Sequence, residues 1–191
     1  VFAATFLFAS CRDETSIIAD RHFERGEYEK ALEMYNQYLY LKPRHLKSIY
    51  NRGRCYEELG EYEKARQDFQ TVLDAEPKHV NAIMSIGQYY YRQKNYDQAI
   101  FNFDQAIEIE QNNAQAWYWR GRARYFMGEA QKAIDDFNRA LNLNSKIGEA
   151  YLYRGAARVF INQKTMACRD FRQAASMGVK GADEAVAKNC K

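Results

Sequence analysis

Residues 51–77 read NRGRCYEELGEYEKARQDFQTVLDAEP, and the marks that punctuate this stretch recur along the chain at an interval of 34 residues. Pro77 closes the stretch, and the only other proline, Pro43, stands one interval earlier. Gly60 shares its column with Gly26 and Gly128, the remaining places being filled by Lys94 and Asn162. Gly53 shares its column with Gly87, Gly121 and Gly155. Ala65 lines up with Ala31, Ala99, Ala133 and Ala167, and Phe69 with Tyr35, Phe103, Phe137 and Phe171. No gap is needed over five units. Self-similarity at a fixed period of this length means stacked copies of one supersecondary element.

Inside each period, apolar and small residues recur at helical spacing on both sides of the Gly26/Gly60 column, which predicts two amphipathic helices around a tight turn. Glycine there permits a positive φ after the first helix; Asn162 tolerates that conformation, and Lys94 adopts it at a cost. Glu27, Glu61 and Glu129 then fall near the N-terminus of the second helix, where negative charge is favoured. Gly53, Gly87, Gly121 and Gly155 lie inside the first helix, where glycine loses about 1 kcal/mol of helix propensity. Close approach of the partner helix is the compensation expected.

With units numbered from Arg12, Leu46, Val80, Ala114 and Gly148, the chain resembles the tetratricopeptide repeat family. That family carries an aromatic or large apolar residue at position 4, Gly or Ala at 8, Tyr or Phe at 11, small residues at 20 and 27, an aromatic at 24 and Pro at 32. The resemblance implies an all-α, right-handed α-solenoid of five helix pairs (12–45, 46–79, 80–113, 114–147 and 148–181), closed by a capping helix at 182–191. The departures are Tyr38 at position 27, Arg124 and Arg158 at position 11, and a rewritten tail in the fifth unit.

One regularity belongs to this chain. Position 7 holds Arg52, Arg120 and Arg154, and position 23 of the same units holds Asp68, Asp136 and Asp170. The other two units pair Ile18 with Met34 and Ile86 with Asn102. Arginine occurs only where aspartate does, which predicts an Arg–carboxylate bond between the two helices of each such unit.

The ends carry a different signal. VFAATFLFASC at residues 1–11 is an apolar run too short to span a bilayer, but suited to the core of a secretory signal. Its last five residues, Leu7 to Cys11, resemble a bacterial lipobox, with Phe8 in place of the usual Leu; this implies Cys11 as the lipid-bearing residue. The Arg12-Asp13-Glu14 that follows is similar to a surface-export signal of some Bacteroidota lipoproteins, though a helix N-terminus accounts for it as well. The segment from Ala167 onward resembles the closing segment of Bacteroidota repeat lipoproteins, and that resemblance implies a disulfide between Cys168 and Cys190. The location so implied is the outer membrane, facing periplasm or surface, with lipid as the sole membrane attachment; a cytoplasmic adaptor with a structural N-terminus is the alternative. Cys55 is expected to be a small buried residue.

Composition bounds the chemistry. The 28 basic and 25 acidic residues leave a formal charge of +3, which offers no footing for nucleic acid. No C-x-x-C or H-x-x-x-H spacing suggests a metal. His22 falls at a core position and His45 and His79 in inter-repeat turns, so no nucleophile–base pair emerges; no enzymatic activity, cofactor or small-molecule substrate is expected. In the resembled family, positions 2, 5, 6, 9, 12 and 13 of each first helix line a concave face. Mapped here, they give an acidic end at Asp13, Asp20 and Glu24, then Tyr50, Asn51 and Arg54. Met84, Gln88 and Tyr91 follow, then Tyr118, Trp119, Arg122 and Tyr125, and last Leu152, Tyr153 and Phe160. Tyr, Trp and Arg are the residue types enriched in binding hot spots. A protein or extended peptide is the implied partner, whereas the positions that clamp a chaperone C-terminus carry Asn81 and Ser85 in place of Lys and Arg. A structural subunit of an envelope assembly (secretion, uptake or motility), using its convex face, is a further alternative.

Overall fold

The computed structural model describes the backbone of residues 3–190 and the side chains of residues 14–190. Among these residues the chain is all-helical, with eleven helices and no strand. They are α1 (Ala3–Glu24), α2 (Tyr28–Leu41), α3 (Leu46–Glu58), α4 (Tyr62–Ala75), α5 (Val80–Arg92), α6 (Tyr96–Ile109), α7 (Ala114–Phe126), α8 (Ala130–Leu143), α9 (Gly148–Phe160), α10 (Lys164–Ser176) and α11 (Ala182–Asn189). The chain divides between Ile86 and Gly87, within α5, into two compact units.

The turn between paired helices is the one the glycine column predicts. Gly26, Gly60 and Gly128 have φ between +72° and +81°, and Lys94 and Asn162 take the same conformation at 58° and 62°. The residue after each turns its N–H back five residues, as in Glu61 to Tyr56 and Glu129 to Arg124, satisfying carbonyls the first helix leaves open. Between repeats, Pro43 and Pro77 follow the C-caps Lys42 and Glu76. His45, His79 and Asn113 then cap the next helix, each accepting from the backbone N–H three residues on. Both turn histidines thus have a structural task that spacing did not reveal.

In the first unit, α1 packs on α2, α2 on α3 and α3 on α4. Ala19, Ala31, Tyr35 and Cys55 form one buried cluster, and burial pushes the Cys55 thiol up to about 12, so it is a neutral core group. The α1 backbone is helical through Cys11, whose side chain lies outside the described residues, so the lipid-anchor assignment is untouched by the fold.

In the second unit each helix from α6 to α11 packs on the next. The in-helix glycines meet the aromatic column: a Cβ on Gly87 would stand 2.5 Å from Phe103, on Gly121 2.9 Å from Phe137, and on Gly155 2.6 Å from Phe171. Gly53 and Phe69 repeat the contact in the first unit at 2.8 Å. The short turn sets each pair antiparallel, and the glycine lets the two helices approach closely at mid-length. After Gly178, with φ at +73°, α11 lies against α10, and Cys168 and Cys190 form a disulfide with their Cα atoms 5.4 Å apart.

The Arg–Asp pairs form in all three units. Arg52 grips Asp68 through Nε and Nη2 at 2.8 and 2.6 Å, Arg120 grips Asp136 at 3.0 and 2.6 Å, and Arg154 grips Asp170 at 3.0 and 2.6 Å. Each arginine also reaches the preceding repeat through Nη1, to Asn36, Asp104 or Asn138. One guanidinium therefore joins three helices. Arg124 and Arg158, the departures at position 11, donate to Asp136 and Asp170 at 2.8 and 2.6 Å, so these two carboxylates are shared by two guanidinium groups.

Candidate functional site

The residues expected to form a binding face divide sharply in their chemistry. In the first unit they are engaged with one another. Asp20 accepts from Tyr35 Oη, Lys47 Nζ and Asn51 Nδ2 at 2.5, 2.8 and 2.9 Å. Burial works to raise its pKa, but these hydrogen bonds outweigh it and hold the carboxyl below the ordinary value. Tyr50 lies against Phe69 and His79, with ring centroids 5.5 and 5.1 Å away. Arg54 pairs with Glu57 at 3.1 Å and Glu58 at 3.5 Å. Tyr50, Asn51 and Arg54, all half-buried, are thus each engaged within the first unit.

In the second unit the same register gives a different result. Arg122, on α7, sits at position 9 like Arg54, yet among the described residues no carboxylate stands within ion-pair distance of it. Instead, its guanidinium carbon lies 4.9 Å from the Tyr91 ring of α5, 4.7 Å from Trp119, 4.6 Å from Tyr153 of α9, and 5.6 Å from Tyr118. Rings present their negative faces to a cation, so four of them hold the charge in place without neutralising it. Nη2 donates to Tyr153 Oη at 3.0 Å, and the buried Nε has no hydrogen-bond partner.

The cage is braced by further rings. Tyr91 meets Trp119 edge-on at 5.3 Å, Tyr125 meets Tyr153 at 5.9 Å, and Phe126 bridges Tyr91 and Tyr153. Burial pushes the Tyr91 hydroxyl up to about 12, and it raises Tyr125 as well, with Tyr153 adding to the effect. These hydroxyls remain neutral hydrogen-bonding groups at physiological pH.

Two residues expected on the surface are corrected. Tyr118 is only 6% exposed and packs into the core against Phe137, so it forms the floor beneath Arg122. Met84 is likewise buried. Position 5 points toward the position 24 ring of the partner helix, as Tyr50 with Phe69 and Tyr118 with Phe137 both show. Gln88 is half-buried and makes no side-chain hydrogen bond among the described residues. Trp119, Tyr125 and Tyr153 are half-buried, whereas Phe126 and Phe160 are exposed. The missed member is Tyr96, on α6, which stacks on Phe126 at 5.7 Å and 14°. Its signal was present in the sequence, because Tyr28 and Tyr62 precede it at the same 34-residue interval.

Comparison with known proteins identifies the repeat that carries this site. Family models described as tetratricopeptide repeat match residues 18–85 and 114–147, and one described as TPR repeat matches residues 87–128. No curated protein matches the chain. Among solved structures, MamA 41-end from Desulfovibrio magneticus RS-1 is 22% identical, with a TM-score of 0.78 over 87% of this chain and 94% of that one. Another MamA crystal structure is 21% identical, with a TM-score of 0.75 over 90% and 94% of the two chains. A thermophilic TPR protein of Thermus thermophilus, TTC0263, is 18% identical, with a TM-score of 0.69 over 90% and 94%. At these identities the likeness establishes the fold.

Proposed function

This chain belongs to the tetratricopeptide repeat family, and from that premise we propose that it is a non-enzymatic scaffold whose second unit binds a protein or extended peptide on the face of α5, α7 and α9. The observation that carries the reading is Arg122, a guanidinium held among Tyr91, Trp119 and Tyr153 with no carboxylate among the described residues to neutralise it. The three comparable arginines at position 7 are each fully engaged, and Arg54 has two glutamates. A half-buried aromatic group around an unneutralised cation is the composition of a hot spot, where a few such residues dominate the affinity. The test is affinity capture from an envelope extract, parent against Trp119→Ala/Arg122→Ala. Specific partners should disappear with the double variant; partners retained in full would move the binding surface elsewhere.

We propose further that the protein is tethered to a bacterial envelope membrane through Cys11. The lipobox-like Leu7 to Cys11 supports this, and the Cys168–Cys190 disulfide suits an oxidising compartment. No helix among the described residues is long and apolar enough to cross a membrane. A tether would raise the effective concentration of the binding face near membrane machinery. Full-length product should partition into detergent, and Cys11→Ser product into the aqueous phase; equal partitioning would remove the anchor.

A further inference from the structure

Beside the Arg122 cage lies a second feature that the repeat does not require. A cavity of about 390 Å³ opens between α9 and α11, walled by Leu152, Ala156, Phe160 and Tyr125, with Glu184 and Lys188 at the α11 side. Its α9 wall is apolar, whereas Glu184, Lys188 and Asn189 make the α11 side polar, the two charges being of opposite sign. Tyr125 is common to both features: it lines the cavity and packs 5.9 Å from Tyr153, whose hydroxyl accepts from Arg122. The cation and the cavity's apolar wall are therefore neighbours, with the rings of Tyr153 and Tyr125 between them. Phe160 is 75% exposed at the rim, an apolar surface that a ligand would cover.

We propose that this pair of features selects an internal peptide segment of the partner in which an Asp or Glu lies close to a large apolar residue. The carboxylate lies on Arg122, and the apolar side chain enters the cavity between α9 and α11. This deepens the peptide-binding reading and rests on it. Charge complementarity chooses the occupant. The guanidinium has its Nη2 committed to one tyrosine hydroxyl and its Nε buried out of reach, while Nη1 has no hydrogen bond among the described residues and remains to donate to a carboxylate in a site of low dielectric, where a charge-assisted bond is strong. The apolar wall supplies what the carboxylate lacks, area removed from water. A lone carboxylate has no use for the cavity, and a purely apolar peptide leaves the caged cation desolvated and unpaired.

The experiment is selection of random peptides, displayed with their carboxyl ends fused, on the full chain, followed by affinities for end-blocked synthetic copies. Selected peptides should share an acidic residue beside Leu, Phe or Met, and should bind equally well with an amidated terminus. Arg122→Gln should weaken binding by about tenfold or more, the scale of one lost charge-assisted hydrogen bond. Ala156→Phe, which fills the cavity from its half-exposed wall, should weaken binding of the same peptides and serves independently if Arg122→Gln fails to fold. Peptides that lack the acidic residue, depend on a free terminus, or bind both variants like the parent would overturn this inference and leave the peptide-binding reading intact. Recovery of no peptide above background would overturn both.

Discussion

At the scale of single residues, two kinds of position carry the fold. Glycines such as Gly87 sit in helices against their propensity because a ring occupies the space a Cβ needs. Gly87→Ala should gain about 1 kcal/mol of helix propensity and still lower stability by roughly 1–3 kcal/mol through overpacking against Phe103, as a urea titration would register. Asp20 is the second kind. Its carboxyl is held below the ordinary value by Lys47, Tyr35 and Asn51 despite burial, so its contribution is present above the unfolded carboxylate pKa and is lost as pH falls through the folded one. Asp20→Asn should therefore be less stable than the parent at pH 7 by about 1–2 kcal/mol, with the gap closing in acid. The glycine column was legible because its period admits no gap. The fate of Asp20, Asn51 and Arg54 was not, since a position list says which face a side chain is on and nothing about which neighbour reaches it first.

At the scale of helices, the arginines at position 7 act as bolts. Their partner within the repeat could be read from co-occurrence, since Arg appears only with Asp. Their second bond, back to Asn36, Asp104 or Asn138, was not legible because two of those three residues are uncharged and the contact depends on how neighbouring repeats register. The bolts differ in redundancy. Asp136 is gripped by Arg120 and Arg124, whereas Asp68 has Arg52 alone among the described arginines. Arg52→Met should thus cost about 3–5 kcal/mol, the penalty of stranding a buried charge. Arg120→Met should cost distinctly less, because Arg124 still neutralises the carboxylate. Paired chemical denaturation curves would show the order, and equal losses would contradict this division of labour.

At the scale of the whole molecule, the disulfide ties the last helix back to α10 across a sequence separation of 22 residues. Replacing Cys168 and Cys190 by Ser should lower stability by about 3 kcal/mol, as chain-entropy arguments give for a loop of that size, with a matching fall in Tm. The repeat architecture was legible almost throughout, because identical units fold by identical local rules. The binding face was only partly so. Trp119, Arg122 and Tyr153 meet as a cage, Tyr118 turns out to be its floor, and Tyr96 joins from a second helix that the family's groove positions omit.

Which surface a partner covers is the most direct test of the face around Arg122. Hydrogen exchange of the full chain, alone and saturated with a captured partner or selected peptide, reads this without mutation. Added protection should concentrate in α7 and α9 and in the α5 turn around Tyr91, leaving α8 and α10 unchanged. Protection confined to α8 and α10, with the helices that carry Trp119, Arg122 and Tyr153 exchanging as before, would contradict it.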